Sequence, residues 1–225
     1  TALAMAVERE WIADKVIGIG NIPAWGLLPP GLAAEKPAKP AWADWPREKR
    51  LQEASALLDT AGFGPDNPLR FEIRFNSSAE HRRVSVAMAA MWKPLGVEAS
   101  LFNSEAALHF AALRQHDFAL SRSGWIADLP TPENFLLVHQ QANGGGNYSG
   151  YDNPDYDRIL AQAIAEPAPR QRQKLMRDAE AILIADMPIL PLYFYVTRSL
   201  VAPRIAGWED NISNVHPSRT LLIRP

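Results

Sequence analysis

The spacing of apolar residues along this 225-residue chain changes period several times, and each change marks an element. Leu3, Val7, Ile12 and Val16 recur at helical spacing, which predicts an opening helix running to Ile17 and stopping at Gly18-Ile-Gly20. Residues 22–46 carry Pro23, Pro29, Pro30, Pro37, Pro40 and Pro46, a density that excludes a regular element. Trp25, Trp42 and Trp45 in the same stretch favour an ordered loop over a flexible linker. Arg47 to Ala61 is again helical, with Leu51, Ala54 and Leu58 on one face and Gly62 as its stop.

From Leu69 the period falls to two. Leu69, Phe71, Ile73 and Phe75 alternate with Arg70, Glu72 and Arg74, the pattern of a strand with one buried face. Ser77-Ser-Ala-Glu80 reads as a capping box that starts a helix through Val84, Met88 and Met91 towards Leu95. Val97 to Phe102 alternates once more, Ser104 to Arg114 is helical, and Asp117 to Ser123 returns to strand. This β-α-β-α-β order predicts an α/β lobe. Beyond Gly124, Thr131-Pro132 and Asn153-Pro154 each place a capping residue before a first-turn proline. Gly144-Gly-Gly146 between them predicts a flexible loop. Tyr156, Ile159, Leu160 and Ala163 form one helical stripe, and Leu175, Ala179, Ile182 and Leu183 another within Arg170 to Asp186. Met187 to Val201 is apolar and aromatic and predicts a buried strand, and Thr220 to Ile223 suits a last short one.

Composition narrows the function classes. With 47% hydrophobic and 21% charged residues the chain is that of an ordinary globular protein, and a net charge of −2 gives no reason to expect nucleic acid or an anionic membrane. No apolar run approaches the roughly 18 residues of a membrane span. Cysteine is absent, which removes disulfides, thiolate nucleophiles and Cys-ligated zinc. Thr1 stands directly inside a helical pattern with no cap before it, and no signal-peptide pattern follows. The expectation is a piece of a larger protein whose targeting segment lies outside the sequence.

Catalytic motifs are weak. Gly18-Ile-Gly20 lacks the third glycine of a dinucleotide fingerprint, and Gly144-Gly-Gly146 has no Lys-Ser/Thr behind it. The five histidines, His81, His109, His116, His139 and His216, contain no tight ligand pair. Gly146-Asn-Tyr-Ser149-Gly150 is one residue out of a nucleophile elbow. Carboxylates such as Asp128, Glu133 and Asp152 lie near aromatics, and capping or loop chemistry accounts for them. One segment differs. Ser121-Arg-Ser-Gly-Trp-Ile-Ala-Asp128 carries a base and an acid six residues apart at a strand mouth, a spacing suited to the two ends of a zwitterion, or else to a surface charge and a turn former.

At these residues the chain resembles the peptide-binding members of extracytoplasmic solute-binding protein family 5, the receptors of ABC peptide importers. The matching stretches run from Ala2-Leu-Ala-Met-Ala-Val-Glu-Arg-Glu10 and Ile22-Pro-Ala-Trp-Gly26, through Met91-Trp-Lys-Pro-Leu-Gly-Val97, to Arg122-Ser-Gly-Trp-Ile-Ala-Asp128. They continue in Tyr151-Asp-Asn-Pro-Asp-Tyr-Asp157, Asp186-Met-Pro-Ile-Leu-Pro-Leu-Tyr193 and Gly207-Trp208. The resemblance covers the chain end to end but only the C-terminal half of the family's protein. It implies the C-terminal lobe of a two-lobed periplasmic-binding-protein (class II-like) fold, a mixed sheet flanked by helices. Residues 1–200 would form the ligand-binding lobe and 201–225 a chain return towards the other.

The resemblance also implies a function: a periplasmic, non-enzymatic receptor that holds extended oligopeptides between two lobes and delivers them to membrane permease subunits. It implies no cofactor, no metal and no nucleic acid, and a monomeric full-length receptor. Asp128 would pair with the peptide's amino group, and Arg122, Arg114 or, for shorter peptides, His81 with its carboxylate. Trp125 would wall the pocket, and the backbone at Gly124 and Ile126 would pair with the peptide. The same receptor fold binding an oligosaccharide, a metal complex or an opine is the alternative, and a Trp-rich carbohydrate hydrolase is a further one.

Overall fold

The computed structural model describes residues 1–32 and 38–224. Pro37 of the proline-rich stretch and Pro225 at the end of the 201–225 segment lie outside the described residues. The opening helical pattern forms, but in pieces: α1 (Ala2–Met5), α2 (Arg9–Trp11) and π-helical turns over Ile12–Ile17 that end at Gly18, φ +72°. The sequence predicted one unbroken helix; two arginines explain the break. Arg9 Nη1 donates to the Ala4 and Val7 carbonyls, and Arg50 Nη1 donates to those of Met5 and Val7. The Met5 and Val7 carbonyls lose their helical partners at the interruption, and the guanidinium groups satisfy them instead, while the Ala4 carbonyl also accepts the Val7 amide at 3.4 Å. Arg50 Nη2 also donates to Glu8 Oε1 at 2.9 Å. Burial, and then the neighbouring Arg50 charge, lowers the Arg9 pKa to about 10.

The proline-rich loop is ordered where described, as its tryptophans led us to expect. It contains one element the proline count had excluded, the two-residue β1 (Ile22–Pro23). Trp25 and Trp42 meet edge to face at 5.8 Å, and the Arg9 guanidinium lies 4.2 Å from the Trp25 ring. The Leu27 and Leu28 amides donate to the buried Glu180 at 2.8 and 2.9 Å. Gly26 is required here, since a Cβ would stand 2.5 Å from the Ala38 carbonyl oxygen.

Next come α3 (Arg47–Thr60), β2 (Arg70–Asn76), α4 (Ala79–Trp92), β3 (Glu98–Ser104), α5 (Ala106–Arg114) and β4 (Leu120–Ser121). The three strands make a parallel sheet in the order β3-β2-β4, with Arg70 opposite Glu98 and Ile73 opposite Leu120. Ile73 and Phe75 are buried, as the alternation requires. Two local expectations fail. Ser77 stays in the ladder, its amide donating to the Ser104 carbonyl, so the cap falls one residue later. Ser78 Oγ accepts from the His81 amide, and no capping box with Glu80 forms. The third strand shrinks to two residues. The second strand forms as expected: β3 is an edge strand whose Leu101 and Phe102 are both exposed.

The second half packs α6 (Pro132–Leu136), α7 (Pro154–Ala165) and α8 (Pro169–Asp186) around Leu136, Tyr156, Leu160, Met176, Ala179 and Leu183. Asn153 caps α7 by accepting from the Asp155 and Tyr156 amides. The triglycine segment expected to be a flexible loop forms short 3-10 turns over Gln141–Gly146. Within Met187–Val201 the regular part is only β5 (Tyr193–Phe194), antiparallel to β1 and half-buried rather than buried. Beyond that segment, β6 (Ile205–Ala206) pairs with an exposed β7 (Leu222–Ile223). A second core, with Val7, Ile12, Ile73, Val84 and Trp92, joins the opening helices to α4 and the sheet. Trp92 Nε1 donates to the Leu3 carbonyl at 2.8 Å.

Candidate functional site

Because β2, β3 and β4 are parallel, their carboxyl ends share one rim, the place where open α/β sheets form ligand crevices. Arg122 follows β4 on that rim. Its amide donates to the Arg74 carbonyl at 2.7 Å, and its own carbonyl meets Nε2 of the buried His109 at 3.1 Å. Its guanidinium donates from Nη2 to the Tyr195 hydroxyl and lies 5.8 Å from that ring's centroid. Among the described residues no carboxylate lies within ion-pair distance of it.

Gly124 follows beside them, where an added Cβ would make ordinary contacts with the Tyr195 ring at 3.6 Å and the Arg122 guanidinium at 3.7 Å. His81 sits in the first turn of α4 with Nδ1 3.3 Å from the Asn76 carbonyl oxygen. Desolvation, and then the Arg122 charge, lowers its pKa, so the imidazole is neutral near pH 7. Arg122 and Gly124 therefore stand together, with His81 near enough to feel the Arg122 charge.

Trp125, Ile126 and Asp128 form a second, outward-facing group. Trp125 is half-exposed and donates from Nε1 to the Asn134 carbonyl at 2.9 Å. The Asp128 amide donates to Asn134 Oδ1 at 3.1 Å, and its exposed carboxylate has no partner among the described residues. Ile126 is 82% exposed, an unusual state for an isoleucine. Arg114 stands apart at the C-terminal end of α5, with Gly145 against its backbone, and joins neither group.

Sequence reasoning missed Asn134, which anchors both Trp125 and Asp128, and it missed Tyr195 and Tyr193. The Tyr193 hydroxyl donates to Glu80 Oε1 at 3.1 Å, and the two tyrosine rings meet edge to face at 5.3 Å. No local signal marks these residues, since their partners lie far away in sequence. His109 and His116, the nearest histidine couple, turn to different carbonyls, those of Arg122 and Tyr148. Glu133 lies 3.9 Å from Arg172 in the first turn of α6. An open depression of about 470 Å³ lies on the β3 side of the rim, lined by Phe75, Ser77, Ser78, Arg82, Leu101 and Asn103, and contains none of the predicted site residues.

The chain is similar to a family of known proteins. The family model described as bacterial extracellular solute-binding proteins, family 5 Middle, matches residues 1–147. The periplasmic oligopeptide-binding protein OppA of Salmonella typhimurium is 34% identical over 227 residues, covering 100% of this chain and 42% of the relative. An unliganded open form of the periplasmic murein tripeptide-binding protein MppA superposes with a TM-score of 0.89 at 34% identity, over 99% of this chain and 43% of the other. Haemophilus influenzae OppA in complex with RPPGFSPFR gives 0.86 at 31% identity, over 100% of this chain and 44% of the other. The chain thus spans about two-fifths of the length of the relatives it matches.

Proposed function

Because the chain belongs to the bacterial extracellular solute-binding proteins of family 5, we propose that it carries the C-terminal, peptide-binding lobe of an ABC importer's receptor. In this reading residues 1–200 form that lobe and 201–225 return towards a second lobe. The receptor works in the periplasm, as its relatives do, and passes its ligand to permease subunits. It binds and releases without making or breaking a covalent bond.

The observation that carries the reading is the exposed segment Gly124–Asp128 beside an unneutralised Arg122. An extended peptide pairs its backbone with Gly124 and Ile126, which gives affinity independent of side-chain sequence. Its ammonium meets the Asp128 carboxylate. Its carboxylate meets Arg122, whose planar fork suits two oxygens at once, with His81, whose Nδ1 faces the Asn76 carbonyl and whose Nε2 takes up a proton to donate to the carboxylate, at hand for a shorter ligand. Arg114 lies five residues beyond His109 on α5, a helical rise of about 7 Å, so the two arginines suit peptides of different length. Trp125 covers the ligand as the second lobe closes, and closure removes both charge pairs from water.

Mass spectrometry of whatever co-purifies with the complete receptor tests this. Unmodified peptides are the expected cargo. An oligosaccharide, a metal complex or an opine would overturn the peptide reading within the same fold, and trimmed glycans would point to a hydrolase.

A further inference from the structure

We propose that Tyr195 is a positioning residue for Arg122: its hydroxyl accepts one guanidinium N–H and turns the remaining donors towards the carboxylate of a bound peptide. This rests on the reading of Arg122 as the carboxylate partner.

A long arginine side chain at a cleft mouth samples many rotamers, and fixing it on ligand arrival opposes binding. An internal carboxylate would fix it in advance but would also neutralise it and compete with the ligand's acid. A neutral hydroxyl avoids both costs. It occupies one of the five guanidinium donors and leaves the fork needed for bidentate capture. Tyr195 is that hydroxyl, and the Arg122 guanidinium has no acid beside it among the described residues.

Both partners are held from behind. The Arg122 backbone is pinned by Arg74 on one side and His109 on the other. Tyr195 follows β5, whose register sets Phe194 opposite Ile22, and the next amide, Val196, donates to Asn21 Oδ1 at 3.1 Å. The Tyr195 ring is braced edge-on by Tyr193, itself tied to Glu80. The ring is 45% exposed, so core packing does not account for its placement. Its contribution is orientation.

The test uses the complete receptor and one tight-binding peptide, supplied as the free acid and as the C-terminal amide, with calorimetric affinities for both. Tyr195→Phe keeps the ring and removes the acceptor. The expected result is a loss of roughly tenfold for the acid, the scale of one hydrogen bond to a charged group, and less than about twofold for the amide, with unchanged melting temperature. Arg122→Met should erase the acid–amide difference, and Tyr195→Phe in that background should then change nothing further. Equal losses for acid and amide, or no loss for either, would overturn the positioning role. An acid–amide difference that survives Arg122→Met would instead overturn Arg122 as the carboxylate partner, whatever Tyr195 does.

Discussion

Asp128 and Asn134 are joined by a single hydrogen bond, from the Asp128 amide to Asn134 Oδ1 at 3.1 Å, which fixes the backbone and leaves the carboxylate open to solvent. Asn134 accepts from Trp125 Nε1 at its own carbonyl, so one residue in the first turn of α6 holds both ends of the segment. An acid held by its backbone while its side chain stays unpaired is preorganised for a cation that arrives from outside.

In the complete receptor, Asp128→Asn should weaken binding of a free-amine peptide by on the order of 3–5 kcal/mol, the range for breaking a buried ion pair, because lobe closure desolvates the ammonium. The melting temperature of the ligand-free protein should hold, since Asp128 is exposed there. N-acetylated peptide should bind the wild type poorly and barely distinguish the two proteins. A calorimetric cycle with both peptides reads this out; a loss under about 1 kcal/mol, the worth of an exposed pair, would leave Asp128 as a turn residue.

Asn134→Ala removes the acceptor for the Asp128 amide but keeps the carbonyl that receives Trp125. Binding of free-amine peptide should weaken by about 1 kcal/mol, one ordinary hydrogen bond, clearly less than in Asp128→Asn. An Asn134→Ala loss equal to that of Asp128→Asn would mean that Asn134 itself touches the ligand.

Short-range features were legible in the sequence. Gly62 stops α3 with φ +84°, Asn153-Pro154 opens α7, and the Phe71, Ile73, Phe75 alternation marks β2, because each depends on neighbours a few residues away. Features set by distant partners were not. The break after Met5 needs Arg50, and the orientation of Arg122 needs Tyr195, 73 residues on. The one-residue shift of the α4 cap follows from Ser77 staying in the ladder with Ser104. Within the site, Arg122 to Asp128 were found as a run of residue types. Asn134, which gives that run its shape, reads locally as an ordinary first-turn polar residue.

Glu180 should be the strongest single polar anchor of the proline-rich loop. It is 1% exposed, and burial raises its pKa against the pull of the backbone amides that donate to it. Glu180→Ala would leave the Leu27 and Leu28 amides without an acceptor, at a cost of about 2–4 kcal/mol in unfolding free energy. Glu180→Gln retains one acceptor oxygen and should lose less. Denaturant unfolding of both variants checks the order; a Gln variant as unstable as the Ala variant would show that the charge, not the acceptor, holds the loop.

The segment after Val201 should exchange its amides fast in the isolated 225-residue chain. Its ladder is two residue pairs, Ile205 with Ile223 and Ala206 with Leu222, and Leu222 and Ile223 are 67% and 74% exposed. So little burial cannot hold a cooperative unit closed. Hydrogen exchange should show weak protection over 204–224 and strong protection in α4 and α8. In the complete receptor the same amides should slow if this stretch returns to a second lobe. Strong protection in the isolated chain would count against that return.

Acid should destabilise the helical half of the protein through His139. Its Nδ1 is buried without a partner among the described residues, and burial lowers its pKa from 6.5 to about 4. The unfolded chain therefore binds a proton between pH 6.5 and 4 that the folded chain refuses, so stability falls as pH drops through this window and His139 adds no further loss below it. At up to about 1.4 kcal/mol per pH unit, the loss attributable to His139 is on the order of 3 kcal/mol. His81 and His109 are shifted in the same direction, by desolvation first and also by the Arg122 charge, and they add to the slope. His139→Phe keeps a ring in the site and has nothing to protonate, so its stability should fall less steeply between pH 6.5 and 4 than that of the wild type. Equal slopes for the two proteins would mean that His139 is hydrated or protonated in the folded state, and the acid response would then rest on the pair beside Arg122.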